Sequence, residues 1–268
     1  MKKKLIVIFS FLFVFLLAFS SLTLAYHSTQ YGEINIQRGY IETVGKAVAP
    51  DNVSTQAQAK LLAREGAILM GRTRMLELLE GVKIDAKTTM VNMMANQKVN
   101  QEVSGVVQGA HIVEGSENWD GEIYTIRLRK PIKEVYKIVY QERKERFTKR
   151  PPKRKTEYTG LVIDAREVDL TPQVMFEILN EYGNVVYSAA KAHYQPAVDR
   201  GLTGFASSIE TAKEDSRTGS NPLVVEAIDT EGTANTNVVV SRQDGERIKY
   251  HLDETEVFRN VRVIIVTG

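Results

Sequence analysis

Residues 141–155, QERKERFTKRPPKRK, carry eight Lys or Arg side chains against Glu142 and Glu145, with Pro151 and Pro152 side by side. Like charges in a run repel one another, and proline brings no backbone donor, so such a stretch resists burial in a single core. The chain is therefore expected to fold as two bodies joined by a basic linker at 141–157. Residues 26–140 would form the first body and 158–268 the second, each close to the size of a small domain.

Ahead of both lies a leader. Lys2, Lys3 and Lys4 start it, residues 5–19 are apolar apart from Ser10, and the small residues Ser20, Ser21, Thr23 and Ala25 follow. That order is the one a secretory signal peptide takes, with cleavage expected after Ala25. The alternative is an uncleaved anchor, since the 20 residues of 5–24 suffice to span a hydrocarbon core of roughly 30 Å. Either reading places the rest of the chain outside the cytoplasm, in the periplasm or associated with the outer membrane. Loss of the three leader lysines takes the formal charge from +2 to 2 − 3 = −1. A near-neutral body argues against nucleic acid as a partner. The chain has no cysteine, which excludes disulfide frameworks, thiol chemistry and cysteine-bound metals.

In the first body, residues 34–36 and 40–44 alternate like strands. Thr55 with Gln58 three residues on fits a capping box that opens a long helix. Within that helix Leu61, Ile68 and Met75, and beside them Leu62, Leu69 and Leu76, make a wide apolar stripe expected to lie on a sheet. A partner helix in a coiled coil is the other use of such spacing. Ala57, Ala59, Ala63, Gly66, Ala67 and Gly71 are small enough for close backbone approach. Residues 82–89 read as a strand, and 106–114 with 122–129 as a hairpin turned at Asp120-Gly121. A short helix is expected after Pro131. The second body reads as six short strands near 159–164, 173–179, 185–189, 223–227, 237–241 and 261–266, with a helix over 204–214. The expected class is α+β, two small domains, each a mainly antiparallel sheet packed with one or two helices.

The search for chemistry finds no nucleophile elbow, phosphate loop, dinucleotide glycine pattern or His-Glu-x-x-His. His27, His111, His193 and His251 share no ligand spacing. Asp253, Glu254 and Glu256 read as a solvated acidic run, and Asp164 with Arg166 as a structural ion pair. No enzyme activity, cofactor or metal is expected; an unrecognised hydrolase is the lesser alternative. The residues left as a candidate site are the cations Arg143, Lys144, Arg146, Lys149, Arg150, Lys153, Arg154 and Lys155, which could hold an anionic envelope polymer or lipid headgroups.

Two stretches carry a resemblance. YIETVG at 40–45, AQAKLLAREGAILMGRTRMLELLEGVKIDAKTTM at 57–90 and VVQGAHIVEG at 106–115 resemble the bacterial twenty-kilodalton surface lipoprotein family and the N-terminal domain of flagellar assembly protein T. TGLVIDAR at 159–166, GNVVYS at 183–188 and SRTGSNPLVVEA at 216–227 are similar to a companion domain found downstream in exported proteins of uncharacterised function. The resemblance implies an envelope location and a structural or assembly role, with envelope proteins, flagellar basal-body components or further copies of the chain as partners. The family's lipid-bearing cysteine has no counterpart here. A cell-wall or lipopolysaccharide binding module that uses the basic linker is the alternative function.

Overall fold

The computed structural model describes residues 27–232 and 234–267; the expected leader and the cleavage at Ala25 lie outside them. The N-terminal unit runs β1 (His27–Thr29), β2 (Gly32–Asn35), β3 (Tyr40–Val48), α1 (Gln56–Glu80), β4 (Lys83–Asp85), β5 (Thr88–Thr89), α2 (Met90–Met94), α3 (Gln97–Gln108), β6 (His111–Ile112), β7 (Asn118–Trp119), β8 (Ile123–Pro131) and α4 (Lys133–Glu142). Its main sheet is antiparallel, in the order β1-β2-β3-β8-β6, with β7 also on β8. Residues 106–108 belong to α3, not to a strand, so the expected hairpin is shorter. Its turn is where Asp120-Gly121 marked it: the Asp120 carboxylate accepts from the Glu122 and Ile123 amides at 3.0 and 2.7 Å.

Helix α1 starts as its sequence directs. Thr55 Oγ1 accepts from the Gln58 amide at 3.1 Å, while the Gln58 side chain receives the Ser54 amide instead of the Thr55 amide. Its packing meets the expectation only in part. The face on the sheet is Ala59, Ala63, Ala67, Gly71 and Met75, and Ile68 and Leu76 of the expected stripe pack half-buried against the core, whereas Leu61, Leu62 and Leu69 point to solvent. The cause is Gly45 on β3. A Cβ built there would lie 1.9 Å from the Ala67 carbonyl oxygen, so helix and strand touch backbone to backbone and only small side chains fit between them.

The C-terminal unit runs β9 (Gly160–Asp164), β10 (Ile178–Asn180), β11 (Val185–Tyr187), α5 (Tyr194–Arg200), β12 (Gly204–Ala206), α6 (Ile209–Glu214), β13 (Pro222–Glu231), β14 (Asn237–Val240), α7 (Arg242–Leu252), α8 (Glu256–Arg259) and β15 (Val263–Val266). The α+β class in two units is as expected. The second sheet, ordered β11-β10-β14-β13-β9-β15-β12, is mixed and not mainly antiparallel. Four pairings are parallel (β10–β14, β13–β9, β15–β9, β12–β15) and two antiparallel. Continuous apolar runs such as Leu161-Val162-Ile163 are suited to strands covered on both faces, as parallel strands are. Here Leu161 and Ile163 share a core with Ile248, Leu252 and Phe258 of α7 and α8, while Val162 packs with Ala212 of α6. The expected helix over 204–214 divides at its start: Gly204–Ala206 pairs with Ile264–Val266 as strand β12.

The two units share one apolar core, which joins Leu79, Val135 and Tyr136 of the first to Val174, Ala197 and Leu202 of the second. Residues 174 and 175 extend β4 through backbone bonds to Lys83 and Ile84 at 3.0 and 2.7 Å. Tyr140 is the hinge pin: its hydroxyl donates to the Val174 carbonyl at 3.0 Å and accepts from the Leu202 amide at 3.1 Å. Tyr187 donates to the Leu202 carbonyl at 2.8 Å. A cavity of about 20 Å³ lies at this joint, room for about one water.

Burial pushes the Tyr136 phenol up to about 12, and holds those of Tyr140 and Tyr187 higher than their ordinary value too. Below pH 10 both folded and unfolded chains keep these protons. As pH rises through 10 towards 12 the unfolded chain releases them first, so stability is lost. At Tyr136 alone the loss amounts to roughly 3 kcal/mol. Arg217 opposes this: burial, with Arg200 adding repulsion, lowers its guanidinium to about 10, and the native state gains by shedding that proton first. One arginine against three tyrosines leaves a net loss. Melting temperature is expected to fall steeply above pH 10, and tyrosinate absorbance to rise on unfolding; a melting temperature that holds or rises there would contradict it.

Candidate anion-binding groove along the basic strap

Segment 141–157 is a packed strap. Its charges face out while Phe147 turns in, edge-on to Tyr140 at 5.2 Å and to Tyr194 at 5.7 Å. The Thr148 amide bonds the Ala192 carbonyl at 3.1 Å. The buried Arg259 reaches the strap from below, donating through Nε to the Arg150 carbonyl at 3.1 Å and through Nη1 to the Lys191 carbonyl at 2.6 Å. His193 Nε2 meets the same Arg150 carbonyl at 3.0 Å.

Beyond Pro152 the strap crosses the C-terminal end of α7. Glu254, just past that helix, has φ +58, the left-handed conformation that non-glycine residues seldom adopt. The turn aims its carbonyl at the strap, where it accepts the Lys153 and Arg154 amides at 2.8 and 3.2 Å. Its carboxylate sits 3.3 Å from Lys153 Nζ. Asp253 binds Lys191 at 2.7 Å. The acidic run therefore does more than meet solvent: two of its three members fasten neighbouring segments. Asp164 and Arg166 do form the bidentate pair expected of them, at 2.8 and 2.7 Å.

Between strap and helix ends runs a groove of about 490 Å³, lined among others by Lys153, Arg154, Lys155, Tyr158, Glu256 and Arg262. Arg262 donates to the Thr159 carbonyl at 3.4 Å. Beside the groove the Arg154 guanidinium stands 5.6 Å over the Tyr250 ring, within reach of a cation–π contact. Tyr250 is 69% exposed, edge-on to His251 at 4.9 Å, which is edge-on to Tyr158 at 5.0 Å. The result is an aromatic row next to a cationic one. Four cations face Glu254 and Glu256, so the local balance is positive, 4 − 2 = +2.

The eight sequence candidates do not form one patch. Lys153, Arg154 and Lys155 meet in the groove, and Lys149 and Arg150 lie exposed before it. Arg143, Lys144 and Arg146 belong elsewhere. Arg143 lies 3.7 Å from Asp85, and Lys144 stands 4.9 Å over the Tyr194 ring. Arg146 lines a second cleft, of about 600 Å³, between the units. There burial holds the Glu177 carboxyl above its ordinary value, with Arg146 pulling it down and Asp85 pushing it up. Sequence reasoning missed Tyr158, which follows the strap directly, and Tyr250 and Arg262, which strand and helix pairing brings to the strap across roughly a hundred residues. Among the described residues no group of three or more His, Asp or Glu side chains converges on a metal position.

Fold and groove define a two-unit α+β protein in which the strap and the C-terminal unit together form a cationic–aromatic surface. Residues 160–268 match the family described as Treponema pallidum Tp0624, second domain. That match takes in Tyr250, Glu254, Glu256 and Arg262 and begins after the strap. No curated protein matches the chain.

Proposed function

We propose that this is an exported, non-catalytic envelope protein that holds an anionic polymer, a sugar phosphate or uronate chain of the cell surface, in the strap groove. What supports the reading is the convergence of Lys153, Arg154, Lys155 and Arg262 beside the Tyr250–His251–Tyr158 row. Guanidinium and ammonium groups neutralise the polymer's charges, and an exposed ring offers an apolar plane for the face of a sugar. The leader supports export. The flagellar-assembly resemblance of the N-terminal unit supports a scaffold role of the same protein, with envelope components as partners.

The test is co-sedimentation of the full chain with purified sacculi and, separately, with lipopolysaccharide. A variant carrying Arg154→Gln, Lys155→Gln and Arg262→Gln leaves the Lys153–Glu254 fastening in place. Removing three phosphate or carboxylate contacts should weaken retention roughly tenfold to hundredfold at low salt. Equal retention of variant and wild type on both materials would remove the groove from the function.

A further inference from the structure

The outer face of α1 carries leucines that the described fold leaves uncovered. Leu61, Leu62, Leu69 and Met70 are 58%, 43%, 67% and 42% exposed, while alanines and a glycine of the same helix are buried. Leu61, Leu62 and Leu69 lie within about 100° of one another around the helix, with Met70 on the far side; scattered exposed leucines need no explanation, but leucines gathered on one face mark a contact surface. Along this face Leu62, Glu65, Leu69, Arg72 and Leu76 follow one another at alternating steps of three and four, the spacing of a helix–helix seam; Leu62 and Leu69 are exposed, while Arg72 and Leu76 are half-buried, Leu76 with one side against the chain's own core.

The order of these five residues says what covers them. About Leu69 the series reads the same in size from both ends, with leucine seven residues to either side, and opposite in charge, with Glu65 before and Arg72 after. An antiparallel second copy with Leu69 on the two-fold axis therefore sets Leu62 on the partner's Leu76 and Glu65 beside the partner's Arg72, twice over. A parallel copy would instead set Glu65 against Glu65 and Arg72 against Arg72. Glu65 is available for this, since Arg64, 3.6 Å from it, is committed to Glu117 at 2.7 Å. Arg72 is steadied by a bond from Nη2 to the Gln108 carbonyl at 2.9 Å.

We infer that α1 is a self-association surface, on which two copies of this chain pair antiparallel through Leu62, Leu69 and Leu76 with crossed Glu65–Arg72 contacts. Such an interface is isologous and closes at the dimer.

The chain's lack of cysteine gives a clean test. Leu69→Cys in the full chain should give a disulfide-linked dimer on mild oxidation. A mixture of Leu62→Cys and Leu76→Cys copies should cross-link faster than either variant alone, and Tyr182→Cys, exposed on the other unit, should cross-link no faster than by collision. In sedimentation, Leu69→Glu should weaken the association constant about tenfold or more, because two like charges then meet on the axis. Its melting temperature at high dilution should not change, since the site is exposed in one copy. Glu65→Arg and Arg72→Glu should each weaken the dimer and together restore it. A chain that stays monomeric at every concentration, a Leu69→Cys variant that cross-links no faster than Tyr182→Cys, or charge swaps that do not rescue each other would overturn the inference. Capture of a different protein by a monomeric chain counts in the same direction.

Discussion

Replacing Gly45 with alanine should unfold the N-terminal unit at temperatures where the natural chain is intact. The added Cβ would stand 1.9 Å from the Ala67 carbonyl oxygen and 2.9 Å from the Gly71 nitrogen. Both are backbone atoms of α1, so no rotamer change relieves the clash and the helix must lift. Lifting it breaks the bond from Thr43 Oγ1 to the Gly71 carbonyl, 2.9 Å long and buried, and draws Gly71 away from Leu128. Overpacking of ordinary side chains costs about 1–3 kcal/mol; against rigid backbone the cost should reach the top of that range or exceed it. For a chain of this size about 3 kcal/mol lowers the melting temperature by roughly 6–12 °C. Gly105→Ala in α3 is the control, because a Cβ there meets nothing within 4 Å. It should be neutral, or stabilise by up to ~1 kcal/mol through helix propensity. Equal melting temperatures for both variants would mean that α1 and β3 are not in backbone contact.

Tyr140→Phe should cost about 2–4 kcal/mol, although it removes one oxygen atom. The Tyr140 ring is fully buried, stacked on Tyr136 at 5.7 Å and met by Phe147. Its hydroxyl is the partner of the Val174 carbonyl and the Leu202 amide. Phenylalanine fills the same space but leaves these two backbone groups buried with one partner fewer, at about 1–3 kcal/mol each. Both belong to the second unit, whereas Tyr140 belongs to the first, so the loss falls on the joint. Urea unfolding followed by near-ultraviolet circular dichroism should show an earlier midpoint, or a single transition divided into two. A shift under about 0.5 kcal/mol would show that the shared apolar core alone holds the units together.

Much of this architecture is legible in the chain, and the failures have a common cause. The Asp120-Gly121 turn, the Thr55 cap and strands β9 and β15 are set by neighbours a few residues away, and sequence reading placed them. The orientation of α1 is not local. Its leucine stripe and its alanine stripe both satisfy helical periodicity, and a glycine on a separate strand decides which one meets the sheet. The start of the 204–214 segment is a strand because Val263–Val266 lies ready to pair with it, sixty residues later. Helix α7, RQDGERIKYHL, buries only Gly245, Ile248 and Leu252, too few apolar positions to show a stripe. The basic run reads correctly as a cationic surface but not as a packed one, since a lone Phe147 among charges gives no sign of the Tyr140–Tyr194 slot that receives it. Three of its eight cations reach the groove, and of the aromatic row only Tyr158 adjoins the run, while Tyr250 and His251 come from a helix nearly a hundred residues later.

The proposed binding of anionic polymer in the strap groove rests on charge. Its most direct test is the salt dependence of that binding, followed by fluorescence anisotropy of a labelled polyanionic oligosaccharide titrated with the full chain. Each cation that neutralises a charge contributes to the slope of log affinity against log salt, by roughly 0.7–0.9 for a polyanion with the charge density of a nucleic acid and by less for a sparser one. A clearly negative slope is expected for the natural chain, and a slope nearer zero by up to about two units once Arg154, Lys155 and Arg262 are glutamine. The same slope for both proteins, or binding that salt does not weaken at all, would contradict it.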